Sequence, residues 1–227
     1  MPHPQYMPSP EARERLLKKR GNLQPFASFD PTRTALLVID MQMFYLGRMT
    51  HGRVLIPRIN DVARRLRNVG GRVAWVQMTL PADLSPDCYG VYHRNFFTPE
   101  NAKRQIEALS PGGALHRIHE DLDVESQDLV IEKRFFGAFS PGSSTGEQRL
   151  RDLGIDNLLI SGVMTNTCCE STAREAAVRD FRVAILSDCT AAWSDEVHLA
   201  SLSSLHETFA NVMESHELFD SQFLSGA

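Results

Sequence analysis

Three short stretches of the chain hold side chains that could react. Asp40 closes the apolar run Thr34 to Asp40 (TALLVID), and Lys133 directly follows Asp128 to Glu132 (DLVIE). Cys168 lies just past Asn157 to Ser161 (NLLIS), in Gly162-Val163-Met164-Thr165-Asn166-Thr167-Cys168-Cys169. A thiol reacts as thiolate, and one at the start of a helix feels the positive end of the macrodipole. A nearby ammonium would favour thiolate further. A carboxylate beside the thiol can take its proton and later give it to a leaving group. Each residue also has a plain reading: Asp40 as a loop cap, Lys133 as a surface charge, Cys168 as a small buried hydrophobe. Collected on one edge of a sheet, the three make a base, a cation and a nucleophile.

The elements that would collect them are legible as alternating apolar runs and amphipathic stretches. Thr34 to Asp40, Arg72 to Met78, Asp128 to Glu132, Asn157 to Ser161 and Arg182 to Ser187 read as strands buried on both faces, with a short sixth at Ala210 to Met213. Between them, Pro57 to Val69 carries Ile59, Val62, Ala63, Leu66 and Val69 at helical spacing, and Gly70-Gly71 stops it. Further helices are expected near Thr145 to Leu153, Asn166 to Asp180 and Glu196 to Ala210. This alternation predicts one α/β domain, a three-layer α/β/α arrangement around a mainly parallel six-stranded sheet. Such sheets place ligands at the carboxyl ends of their strands, where Asp40, Lys133 and Cys168 all fall. Residues 1–30 read as an arm preceding the 31–227 domain. It is punctuated by Pro2, Pro4, Pro8 and Pro10 and holds a charged helix at Glu11 to Arg20, either an oligomer clasp, a pocket cover or a solvated appendage. Pro81 to Gly113 reads as a long irregular insertion, of the kind that forms lids or interfaces.

Composition narrows the function classes. The 227 residues are 42% hydrophobic and 23% charged, with 24 Lys+Arg against 28 Asp+Glu, a net charge of −4. That balance argues against a broad footprint on nucleic acid or an anionic membrane surface. No apolar run approaches the ~18–20 residues of a membrane span, and Met1 to Pro10 lacks the apolar core of a secretory signal. Four cysteines (Cys88, Cys168, Cys169, Cys189) are too sparse for a disulfide scaffold, so a reducing cytoplasmic setting is expected.

Three ordered motifs are similar to those of the isochorismatase-like cysteine hydrolases, a superfamily that includes nicotinamidases, N-carbamoylsarcosine amidohydrolase, ureidoacrylate and biuret hydrolases and isochorismatases. They are Leu37-Val38-Ile39-Asp40-Met41-Gln42, then Glu132-Lys133-Arg134 with Phe139 downstream, then Ser161 through Arg174 (SGVMTNTCCESTAR). The resemblance spans roughly Thr34 to Phe219. It implies a Rossmann-like fold and a catalytic triad of Asp40, Lys133 and Cys168. It also places the nucleophile three residues after Thr165, choosing Cys168 over Cys169. A non-proline cis peptide between Val163 and Met164 is implied as well, aiming the backbone N–H groups of Met164 and Cys168 at one point as an oxyanion hole. The implied activity is hydrolysis of a C–N bond in a small amide, carbamoyl or ureido compound through a thioester. The alternatives are isochorismatase-type vinyl ether hydrolysis, which needs no thiol, and a non-catalytic scaffold.

No cofactor and no metal are expected. Metal-dependent relatives carry a D-x-H set after the second strand, where this chain reads Thr79 to Pro86 and Asp83 has no His two residues on. His93 with Asp87 nearby is poor ligand spacing, and His116 and His119 lack an evident third ligand. These two, with His198, His206 and His216, read as surface or helix-packing residues. Gly137-x-x-x-x-Gly142 lacks the Lys-Ser/Thr ending of a phosphate loop. Substrate-binding candidates are Gln42 and Phe44 after Asp40, Phe136 (with Phe135) after Lys133, Asn166 by the nucleophile, and Tyr92 in the insertion, beside Tyr89, His93 and Phe96. The expected partners are a small-molecule amide or ureide and further copies of the chain in a dimer or tetramer, with neither nucleic acid nor membrane.

Overall fold

A computed structural model describes residues 4–81, 90–220 and 223–224. The strands are β1 (Thr34–Ile39), β2 (Arg72–Met78), β3 (Leu129–Lys133), β4 (Asn157–Val163), β5 (Arg182–Ala191) and β6 (Asn211–Met213). They form one sheet in the order β3-β2-β1-β4-β5-β6, and every pairing is parallel. The helices are α1 (Pro10–Arg20), α2 (Met43–Leu46), α3 (Ile56–Asn68), α4 (Gly90–Phe96), α5 (Pro99–Leu109), α6 (Gly146–Asp152), α7 (Glu170–Ala177), α8 (Asp195–Thr208) and α9 (Glu217–Asp220). No helix among the described residues is long and apolar enough to cross a membrane.

All six residues of β1 and all seven of β4 are buried, as expected for central strands covered on both faces. Strand alternation divides them between two cores. Ala35, Leu37 and Ile39 pack with Ile106 of α5, Leu150 of α6, Ala173 of α7 and Leu205 of α8. Leu36 and Val38 pack with Ile59, Val62 and Leu66 of α3 on the opposite face. Helices therefore cover both faces, giving the three layers the sequence pattern predicts. Chain order reverses between β1 and β4, which makes the crevice at their carboxyl ends the switch point of the sheet.

Several elements differ from the sequence expectation. β4 continues to Val163 and β5 to Ala191, because pairing resumes beyond a register shift between Ile160 and Gly162. The helix expected from Asn166 starts instead as a wide turn, Thr165–Cys169, and becomes α-helical at Glu170. The described part of the 81–113 insertion holds α4 and α5. The arm is not a solvated appendage. Ser9 caps α1, Leu16 is 1% exposed, and Arg15 pairs with Glu207 of α8 at 3.1 Å. Farther on, the Gln24 amide both donates to Val212 O and accepts from Val212 N, and Phe26 N donates to Asn211 Oδ1. These bonds cover the otherwise open edge of β6, a common protection of edge strands.

Candidate active site

β1 delivers Asp40 to the crevice. Its backbone N–H donates to Val76 O at 2.8 Å, then the chain turns with φ +52°, a left-handed geometry that aspartate tolerates better than most residues. Lys133 is the last residue of β3, in register with Met78 of the intervening β2. Its side chain reaches past β2 to the Asp40 carboxylate, Nζ donating to Oδ2 at 2.9 Å and to Phe135 O at 3.2 Å. Both side chains are buried, at 0% and 1% exposure.

β4 leads to Cys168 through two features. At Gly162, φ is +106°, and an added Cβ would stand 2.1 Å from the Ile39 carbonyl oxygen, so only glycine lets β1 and β4 approach here. The Val163–Met164 peptide is cis, as the sequence resemblance implies. The following turn closes on Met164 O, which accepts from Thr167 N and Cys169 N. α8 braces it from behind, with His198 Nδ1 2.8 Å from Thr165 Oγ1 and Ser201 Oγ donating to Thr165 O. Cys168 is thereby brought to the Asp40–Lys133 pair and has side-chain interactions with both. Asp40 Oδ1 is buried without a hydrogen-bond partner among the described residues, leaving one carboxylate oxygen able to receive a proton.

The electrostatics depart from the expected helix-end activation. Burial pushes the Cys168 thiol up, the negative charge of Asp40 pushes it further, and Lys133 only partly offsets them. Burial and the Asp40 charge therefore favour the thiol over the thiolate at Cys168. For Lys133, burial alone would lower the ammonium's pKa, but the charges of Asp40 and Cys168 raise it in net. Cys169 is fully buried, its thiol directed toward Ser161 O at 3.9 Å, and it does not line the cavity.

A cavity of about 190 Å³ opens on Asp40 and Cys168. Phe44, Tyr92 and Phe136 line it, as the sequence suggests. Tyr92 meets Phe136 edge-on at 5.2 Å. Two candidates are corrected. Gln42 is 0% exposed and lines no part of this cavity; its amide donates to Met78 O and His116 O and accepts from Met78 N, clamping the ends of β1 and β2 together. Asn166 is exposed, and Thr167 takes the wall position beside the thiol. Phe135, His93 and Phe96 do not line the cavity, and Tyr89 lies outside the described residues. The sequence reading missed Tyr45, Arg48, Phe97, Gln105 and Trp193. Trp193 follows β5, so the strand-end rule could have found it. Arg48 lays its guanidinium 4.4 Å from the centre of the Phe44 ring. A wider groove of about 800 Å³ runs beside β3, lined by Glu132, Arg134 and Arg149, but none of the three strand-end residues opens on it.

Among the described residues, no three His, Cys, Asp or Glu side chains converge as a metal site; Asp83 and Asp87 lie outside them. The histidines are engaged elsewhere. His93 stacks on Phe97, His116 meets Thr79 Oγ1 at 2.8 Å, and His206 bridges Tyr6 and Leu23 O. His116, His119, His198 and His206 are buried rather than on the surface, and only His216 of that group is exposed.

The sequence and the fold have counterparts among known proteins. Nicotinamidase 3 of Arabidopsis thaliana is 37% identical over 95 residues, 42% of this chain; the match spans about half, 47%, of that protein's length. The ureidoacrylate amidohydrolase RutB of Acinetobacter baylyi is 29% identical over 203 residues, 82% of each chain. The crystal structure of a cysteine hydrolase from Pseudomonas syringae pv. phaseolicola has the same fold, with a TM-score of 0.73 at 23% identity over 87% of this chain and 95% of that one. The family model of the isochorismatase domain matches residues 34–217, from the first strand to the last helix, and the chain belongs to the isochorismatase family of hydrolases.

Proposed function

We propose that the protein is a cysteine hydrolase that cleaves the C–N bond of a small amide, carbamoyl or ureido compound. The observation that carries this reading is the buried Asp40–Lys133 pair at 2.9 Å, set against Cys168 on the wall of a small aromatic cavity. The names of two relatives, a nicotinamidase and a ureidoacrylate amidohydrolase, support the amide class.

In the proposed reaction, Asp40 Oδ1 takes the thiol proton as Cys168 Sγ bonds to the substrate carbonyl carbon. Negative charge moves to the carbonyl oxygen, where the backbone N–H groups of Met164 and Cys168 serve as donors. Collapse of this adduct breaks the C–N bond, and Asp40 returns the proton to the departing nitrogen. Water then attacks the thioester, Asp40 accepts its proton, and the acid leaves as the thiol reforms. Lys133 holds Asp40 in place and lowers the cost of charge on sulfur. The aromatic walls exclude water and suit a planar group.

A screen of small amides and ureides for ammonia or amine release tests the reading. Wild type should turn over at least one compound, Cys168→Ala none, and Cys169→Val most of what wild type does. Trapping with iodoacetamide and peptide mapping should label Cys168. Dominant labelling of Cys169, or turnover of isochorismate by Cys168→Ala with no amide activity in wild type, would reject it.

A further inference from the structure

Gln105, on α5, lies far in sequence from the three strand-end residues yet lines the same cavity. Its Oε1 is buried and has no hydrogen-bond partner among the described residues. Tyr45 interacts with the same Gln105 side chain. Tyr45 is itself a cavity residue, close enough to Asp40 and Cys168 that their charges act on it. Burial, followed by those charges, holds the phenol neutral, so it both donates and accepts. An Nε2–H of Gln105 donated to this hydroxyl would orient the amide and leave Oε1 over as the bare acceptor.

A buried acceptor without a donor costs free energy in the empty protein, and a ligand that supplies the donor recovers it. The lining also holds Phe44, Phe97 and Phe136, which carry no N–H or O–H, and donors at Arg48, Tyr92, Thr167 and Trp193, none of which hydrogen-bonds to Oε1. We propose that Gln105, held in orientation by Tyr45, is a specificity-determining residue whose Oε1 accepts an N–H of the substrate. This rests on Cys168 being the nucleophile of the amide-cleaving site above, and it narrows the substrate class. The preferred compounds are amides and ureides that keep at least one N–H within reach of Gln105. Esters and N,N-disubstituted amides of the same shape leave the acceptor unpaired and are disfavoured.

The test uses two alkylating probes of nearly equal shape, 2-iodo-N-methylacetamide and methyl iodoacetate, which differ by N–H against O. Each transfers its acetyl-derived methylene carbon to sulfur with loss of iodide, so no substrate need be known. Second-order alkylation rates for the full chain, measured below saturation, are divided by the rates of the same probes with a free small thiol. Peptide mapping confirms the site. Wild type should prefer the amide probe by about three- to tenfold beyond the free thiol, the range expected of one hydrogen bond. Gln105→Leu should bring that ratio to about one, with the ester rate largely unchanged. Tyr45→Phe should reduce it part of the way, because the amide loses its orienting partner. A wild-type ratio of one, or a Gln105→Leu variant that keeps the wild-type preference, overturns the assignment while leaving Cys168 as nucleophile. Labelling at Cys169 instead overturns the nucleophile and this assignment together, and the peptide map tells the two failures apart.

Discussion

Asp40 and Lys133 are proposed to do different work, and substitution separates them. Asp40→Asn keeps the shape but cannot accept a proton, so hydrolysis should fall by about 10²–10⁴-fold. The same change removes a negative charge that raises the Cys168 thiol, so the pH profile of thiol alkylation should move to lower pH. Lys133→Ala removes the charge that lowers the thiol, and its profile should move to higher pH. Each variant strands one buried charge without its partner, which costs about 3–5 kcal/mol and should appear as an earlier urea midpoint. If Lys133→Ala hydrolyses normally and alkylates on the wild-type profile, the lysine has no part in the chemistry.

At the scale of elements, the site depends on how closely β1 and β4 pack. Ile39 and Gly162 face each other in the register, and an added methyl would meet both the oxygen and the nitrogen of Ile39. Gly162→Ala should therefore cost about 3 kcal/mol or more, through the strained φ and the overpacking together. An unchanged denaturation midpoint would mean that the strands tolerate a wider spacing than they adopt. The central strands were legible because both their faces are buried, so Thr34 to Asp40 and Asn157 to Ser161 are nearly uninterrupted apolar runs. Asp40, Lys133 and Cys168 were legible because parallel strands deliver their carboxyl ends to one edge. Gln42 and Asn166 were misread because adjacency to a reactive residue does not fix the direction of a side chain. Gln42 turns back toward β2, and Asn166 is exposed and absent from the cavity wall. Gln105 left no signal. It precedes Ile106 at the flank of an amphipathic helix, where a polar residue facing a cavity and one facing water look alike in sequence.

At the scale of the molecule, the arm belongs to the fold rather than to the cavity. No residue of 4–30 lines the space around Cys168, whereas Leu16 and Phe29 are buried against the domain. Removing residues 1–21 should lower Tm by at least about 5 °C, the equivalent of losing one or two buried side chains. The kcat/KM of any hydrolysed substrate should stay within about twofold. A truncated chain that melts like wild type would make the docking of α1 energetically idle, and one that loses catalysis would return the arm to the site. The cavity wall is drawn from several stretches. Asp40 and Cys168 follow the carboxyl ends of β1 and β4, while Tyr92, Phe97 and Gln105 come from one contiguous stretch between β2 and β3. Under the proposed chemistry, the reacting groups and several of the groups that choose what reacts therefore sit on separate stretches of chain. Exchanging the stretch from Gly90 to Leu109 should change which amides are accepted while Asp40, Lys133 and Cys168 keep their places.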